Sequence, residues 1–308
     1  MSAYLEIMST VPTVKPMEHF SREEWRDLTA WNAWMGPLLV LHCWALVIAA
    51  GALFVLWPNP VTYLIAVMII GARQLGLAIL MHEAAHGLLS KNRAFNDFLG
   101  SVMTGAVVGA DLRAYRNYHL KHHKFAQQAE DPDLVLSEKF PVTRASLRRK
   151  IIRDLTGQTF FKQRIAPLLN RAKGAAFSGV DRHFLIANAT LLLIATLAGY
   201  WWAYFALWVV PLATWNPLVT RLRNIAEHAC VGNDDDPWRV ARTTHANFLE
   251  RLLIAPYWVH YHSEHHLFMY VPCYRLKGVH DALADRGLTA RMHVERGYPA
   301  VLGQAASA

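Results

Sequence analysis

The chain has 308 residues, 54% of them hydrophobic, and its Lys and Arg exceed its Asp and Glu by eight. No Asp, Glu, Lys or Arg falls between Leu28 and Ala72, or between His183 and Thr220. A run of about 20 uncharged apolar residues is enough to cross a bilayer, so these two blocks exclude an ordinary soluble domain and point to an integral membrane protein.

The first 34 residues carry Glu6, Glu18, Glu23, Glu24 and Asp27, and the apolar run starts too late for a cleavable signal. In the first block, Pro37 to Trp57 predicts one span. "WPNP" (57–60) is the turn, and Val61 to about Met81 predicts the second. A long loop follows, with 17 Lys and Arg against 9 Asp and Glu from His82 to Arg182. Within it, "FNDFLGSVMTGAVVGA" (95–110) is apolar but too short to span, which suggests a re-entrant or interfacial helix. "RRKIIRDL" (148–155) is a basic amphipathic stretch. It reads as a solvated helix face, or as a contact for anionic lipid or an acidic electron donor. The second block predicts arms at Phe184–Ala198 and from Trp201 to about Trp215. They bend at Gly199-Tyr200, and the second continues into "NPLVTRLRNIAEHA" (216–229).

Both turns are short and uncharged, so the N-terminus, the long loop and the segment after Arg221 are expected on one side. Lys91, Arg93 and Arg182 near the helix ends make that side cytoplasmic. The fold class is therefore an all-α membrane protein. About four transmembrane helices in two hairpins would carry a cytosolic helical cap. Cys43, Cys230 and Cys273 show no C-x-x-C spacing and read as free thiols in a reducing compartment. Three cysteines also cannot ligate a four-thiolate iron–sulfur cluster.

Sixteen histidines are present and strongly clustered. "HEAAH" carries His82 and His86, "HLKHH" carries His119, His122 and His123, and "HSEHH" carries His262, His265 and His266. His228 stands in "RNIAEHA". Most of these follow a predicted membrane helix on the same side. Residues three and four apart share a helix face, so each box can aim imidazoles at one point. Imidazole ligates zinc, copper, iron and nickel. So many ligands exceed the four of one zinc, and two metals are the economical reading.

"HEAAH" alone is the H-E-x-x-H of zinc proteases. The extended protease form needs Gly at Leu89 and His at Asn92, and both charge-free blocks lack a carboxylate. The soluble carboxylate di-iron pattern needs two Glu-x-x-His motifs, and Glu83-x-x-His86 is the only one near a box. A non-enzymatic metal carrier would want polar residues along the spans, which are scarce. His42 and Arg73 are the polar exceptions and hence functional suspects. The alternatives for them are a bond from His42 to a neighbour, and snorkelling or a carboxylate partner for Arg73. Tyr257, Trp258 and Tyr261 flank the last box and read chiefly as packing.

With its three boxes in this order and spacing, the chain resembles the membrane-bound fatty acid desaturase family and its hydroxylase relatives over roughly residues 35–285. That resemblance implies one membrane-embedded domain over 1–308. Residues 1–34 would be a cytosolic segment, 35–285 the core and 286–308 a tail. It implies a centre of two iron ions with O2 as co-substrate. The iron ligands would be His82, His86, His119, His122, His123, His228, His262, His265 and His266, with Asn224 reaching iron through a water. The implied activity is introduction of a double bond into a fatty acyl or lipid chain. A hydroxylase or ketolase acting on lipid, carotenoid or small molecule is the alternative, and a zinc intramembrane protease a remote one. The partners would be the membrane, a lipid or acyl substrate and a separate electron donor such as a ferredoxin, with no nucleic acid. Asp111, Asp131, Asp133, Glu83, Glu227 and Glu264 are candidates to hold histidine N–H groups, with "EDPDL" (130–134) the best of them.

Overall fold

The computed structural model describes residues 11–174, 176–232 and 235–306. Among these residues the regular structure is helical apart from one two-stranded ribbon. After α1 (Arg22–Leu28), the first apolar block forms α2 (Met35–Leu56) and α3 (Pro60–Ala85). The turn between them is sharp because Asn59 caps α3. Its side chain accepts from the Val61 and Thr62 amides, and Pro60 supplies a preset first helical residue. Residues 95–110 lie in α4 (Arg93–Phe98), a π segment (Leu99–Gly105) and α5 (Ala106–Val108). Then come α6 (Leu112–Phe125), α7 (Leu134–Ser137), α8 (Arg144–Leu155), α9 (Gln158–Phe160) and α10 (Ala166–Ala172).

The second block starts with α11 (Gly179–Leu197), capped by Ser178 and Asp181. After the expected bend, α12 (Trp201–Ala203), a π segment (Tyr204–Val209) and α13 (Val210–Ala213) form the returning arm. A break at Thr214, with φ −122° and ψ −75°, starts α14 (Trp215–His228). Among the described residues, three helices are long and apolar enough to cross a membrane, namely α2, α3 and α11. The expected fourth arm is shorter. Pro211 lacks an amide hydrogen and Thr214 breaks the helix, so this arm is divided into shorter pieces instead of one long helix.

The remaining elements are β1 (Arg242–Thr244), α15 (Phe248–Leu253), α16 (His262–Leu267), α17 (Leu276–Asp285), β2 (His293–Glu295) and α18 (Tyr298–Ala305). β1 and β2 pair in parallel, with Thr243 opposite Val294. Residues 288–306, within the segment expected to be only a tail, fold onto the cap. Tyr298, Val301 and Ala305 are buried, and α18 packs on α14.

α3 is the centre of the bundle. Its most apolar stretch is 72% buried, against 22% for α2 and 11% for α11. Its neighbours come close through small residues. A Cβ on Gly71 would lie 2.7 Å from Trp215, and one on Gly100 would lie 2.4 Å from Ala84. Four buried or half-buried arginines then tie helix ends together. Arg116 donates to the Ala84 and Ala85 carbonyls, Arg73 to Arg251 and Leu252, Arg164 to Val108 and Gly109, and Arg242 to Ala226 and Ala229. Each cation meets the carbonyl end of a helix, where the dipole is negative. Arg73 thus takes backbone carbonyls rather than a carboxylate.

Candidate metal centre

Four helices end or pass at one point beneath the cap. Box one lies at the C-terminal end of α3, box two on α6, His228 at the end of α14 and box three on α16. Arg116 fixes α6 against the end of α3 through the two carbonyls just named. The nine predicted histidines sort into two groups. His82, His86, His119, His123 and His265 form one, and His122, His228, His262 and His266 the other. Within each group the ligand nitrogens all lie within 4.8 Å of one another. The groups adjoin, with the His123 and His266 rings 4.4 Å apart. Neighbouring helical residues point about 100° apart, so His122 and His123 serve different groups. His265 and His266 divide in the same way.

The donor set fits metal. Facing Nε2 atoms lie 2.9 Å apart in His82–His265, His119–His123 and His228–His262, and 3.0 Å apart in His123–His265. One N–H can satisfy one such pair, but it cannot satisfy four or five nitrogens meeting at one point. Both ring nitrogens of His86 are buried without a hydrogen-bond partner. Burial drives His119, His123, His262, His265 and His266 well below the usual imidazole pKa, and His228 down to about 3. Neutral imidazoles crowded around a point are what a cation requires.

Oxygen acceptors behind the rings set their orientation. His228 Nδ1–H donates to the Val240 carbonyl at 3.0 Å, which leaves Nε2 as the free lone pair. His122 Nδ1 donates to Asp131 at 2.8 Å. Burial alone would raise the Asp131 carboxyl, but His122 and the amides of Gln127 and Asp133 hold it below its ordinary value. Glu83 stands 3.3 Å from His82 Nδ1 and accepts from the Cys273 amide, and Glu227 stands 3.5 Å from His262 Nδ1. Asp133 is 3.7 Å from His122 and accepts from Tyr118. Two of the candidate carboxylates serve elsewhere. Asp111 caps α6, and Glu264 binds Thr243 and His280 rather than a box histidine.

Three cavities touch the histidines. One of about 30 Å³ lies between Asn224 and His119, His122, His228 and His262, and it is large enough for a water. A second, of about 310 Å³, runs along α3 from Gln74 to His82 and Tyr115. The third, of about 480 Å³, reaches His123 and His266 beneath residues 11–16 and the loop after box three. Tyr115 stacks on His119 with ring centroids 5.2 Å apart. It stands four residues before His119, a helical-face spacing legible in the sequence. Gln74 and Asn188 are further polar residues within the apolar blocks, and their polarity was the available signal. His42 bonds the Tyr257 hydroxyl at 3.2 Å, and Tyr257 packs on α3 at Gly76.

A family model described as fatty acid desaturase matches residues 57–295. The chain is 28% identical over 259 residues to a dihydrorhizobitoxine desaturase of Bradyrhizobium elkanii, covering 79% of this chain and 73% of that protein. It is 26% identical over 204 residues to a zeaxanthin 4-ketolase of Chlamydomonas reinhardtii, covering 65% of this chain and 40% of that protein.

Proposed function

The chain belongs to the fatty acid desaturase family, and from that premise we propose that it is an O2-dependent di-iron desaturase. The observation that carries this reading is the pair of adjoining histidine groups, five and four, at the foot of a buried membrane helix. We assign His82, His86, His119, His123 and His265 to one iron and His122, His228, His262 and His266 to the other, with Asn224 acting on the second through a water. Bound iron would supply activation of O2 and removal of hydrogen from an unactivated C–H bond. The chain's own residues hold the imidazoles neutral and oriented, through Asp131, Glu83, Glu227 and the Val240 carbonyl. The α3 cavity admits the alkyl segment of an amphiphilic substrate beside His82.

A double bond removes two hydrogens from the substrate, and two further electrons come from a donor to complete the reduction of O2 to water. We place that donor in a separate carrier of the ferredoxin type. The net charge of +8 and the exposed Arg148, Arg149 and Arg153 of α8 suit an acidic partner. The excess of Lys and Arg beside the spans favours the cytoplasmic side for the histidines.

Expression in a host, followed by mass spectrometry of lipids and polar metabolites, tests the reaction, with His122→Ala as control. A new unsaturated product is expected. A new hydroxylated or oxo product without unsaturation would move the reading to a hydroxylase or ketolase. Purified protein with about one zinc and no iron would overturn it.

A further inference from the structure

Three cavities beside the spans and the site differ in chemistry. An apolar groove of about 520 Å³, walled by Trp44, Val102, Met103, Ile186 and Leu191, touches none of the nine histidines. The cavity that follows α3 to His82 is smaller, about 310 Å³, and half of its lining is polar. That volume lies at the lower end of the roughly 300–1,000 Å³ of small-molecule sites. Arg164, Arg221 and Arg223 line it, and no Asp or Glu does. Arg221 is held by Asp154 and Arg223 by Glu227. Arg164 donates to the Val108 and Gly109 carbonyls and has no carboxylate within ion-pair distance among the described residues; Asp181, held by Arg171, acts on it from farther off. Of the four arginines that cap helix ends, it alone lines this cavity. Deeper in, Gln74 is fully buried. Its Nε2 donates to the Trp208 carbonyl at 2.8 Å, while its Oε1 has no partner. Gln74 precedes His82 by two helical turns, about 12 Å along the axis.

We propose that the substrate is a small amphiphile bearing its own carboxylate, with that carboxylate on Arg164 and a hydrogen-bond donor on Gln74 Oε1, rather than a long-chain membrane lipid. The inference rests on the desaturase reading and narrows its substrate. A guanidinium binds a carboxylate through paired N–H donors. A buried acceptor left unpaired favours any ligand that brings an N–H or O–H to it. Leu75, Ile79 and Leu212 in the same cavity supply contact for a short alkyl segment. The cavity beneath residues 11–16 has no Lys, Arg, Asp or Glu in its lining and so offers a carboxylate no such cation.

The test is calorimetric titration of the full-length, iron-loaded protein in detergent with hexanoate, hexan-1-ol, 6-hydroxyhexanoate and palmitate. Hexanoate is expected to saturate a single site and to bind about tenfold more tightly than hexan-1-ol. Arg164→Ala should weaken hexanoate about tenfold or more with iron content unchanged, and Arg164→Lys by only about threefold. If Arg164→Ala does not fold, Arg164→Lys and Gln74→Leu carry the test. Gln74→Leu should abolish a preference for 6-hydroxyhexanoate over hexanoate. Palmitate binding more tightly than hexanoate and indifferent to Arg164, or hexanoate binding unchanged in Arg164→Ala, would overturn the proposal. Iron is assayed on the same samples. A chain without iron that still binds hexanoate through Arg164 sinks the metal reading and leaves this one standing.

Discussion

Boxes two and three share the pattern H-x-x-H-H, yet they are built in opposite ways. "HLKHH" lies on α6, a 14-residue amphipathic helix. Its spacers Leu120 and Lys121 are exposed, and support for His122 comes from Asp131, nine residues away. "HSEHH" fills most of α16, which has only six residues. A helix that short is marginal on its own, so tertiary contacts must hold it. Its spacers Ser263 and Glu264 are 2% and 0% exposed. Ser263 bonds the Ala241 carbonyl, while Glu264 bonds Thr243 of β1 and His280 of α17. Just before it, Tyr257 and Trp258 both hold left-handed backbone, φ 56° and 55°, a strained conformation kept only where surroundings enforce it. The histidine spacing answers to the metal, and the two letters between answer to the scaffold. Box two is a surface helix with one buried face, and box three is a plug.

The largest effects should ignore this difference. His122→Ala and His265→Ala each remove a ligand from a different group. Each should abolish product formation and lower bound iron per chain, measured by mass spectrometry and elemental analysis. Full activity in either variant would detach that box from the centre. The difference should appear next in stability. Glu264→Ala strands Thr243 and His280 and should cost about 3 kcal/mol in denaturant unfolding in detergent. Lys121→Ala should stay within about 0.5 kcal/mol, and equal losses would erase the contrast. Metal affinity sharpens it further. Asp131→Asn should weaken iron binding by about ten- to a hundredfold, and Glu227→Gln, at the longer contact, by less. A chelator competition assay reads both. Ser263→Ala should cost about 1 kcal/mol of stability, between Glu264→Ala and Lys121→Ala, with iron content unaltered.

Much of this was legible beforehand. Charge-free blocks, the Asn59 and Gly199 bends and the helical region at 95–110 follow from local rules of burial and capping. The nine histidines were legible because helical spacing is a short-range property, but each box was read as aiming at one point, whereas each H-H pair divides between the two groups. Other features resisted. Nothing at Arg73 says that its partners are carbonyls of α15, some 180 residues on. Glu264, placed like Glu83 beside a box histidine, binds His280 instead because β1 and α17 close over it. The segment after residue 286 lacks a strong apolar period, yet α18 buries Tyr298 and Val301 against α14.

By itself the sequence determined that a membrane-embedded helical protein gathers many imidazoles at one level, since hydropathy and helical period act over a few turns. Only the tertiary structure decided how those imidazoles divide into five and four, and which cavity meets them with Arg164 and Gln74. Those outcomes depend on which faces of distant helices pack together, and the approach of α6, α14 and α16 to the end of α3 is set by contacts that no local stretch contains.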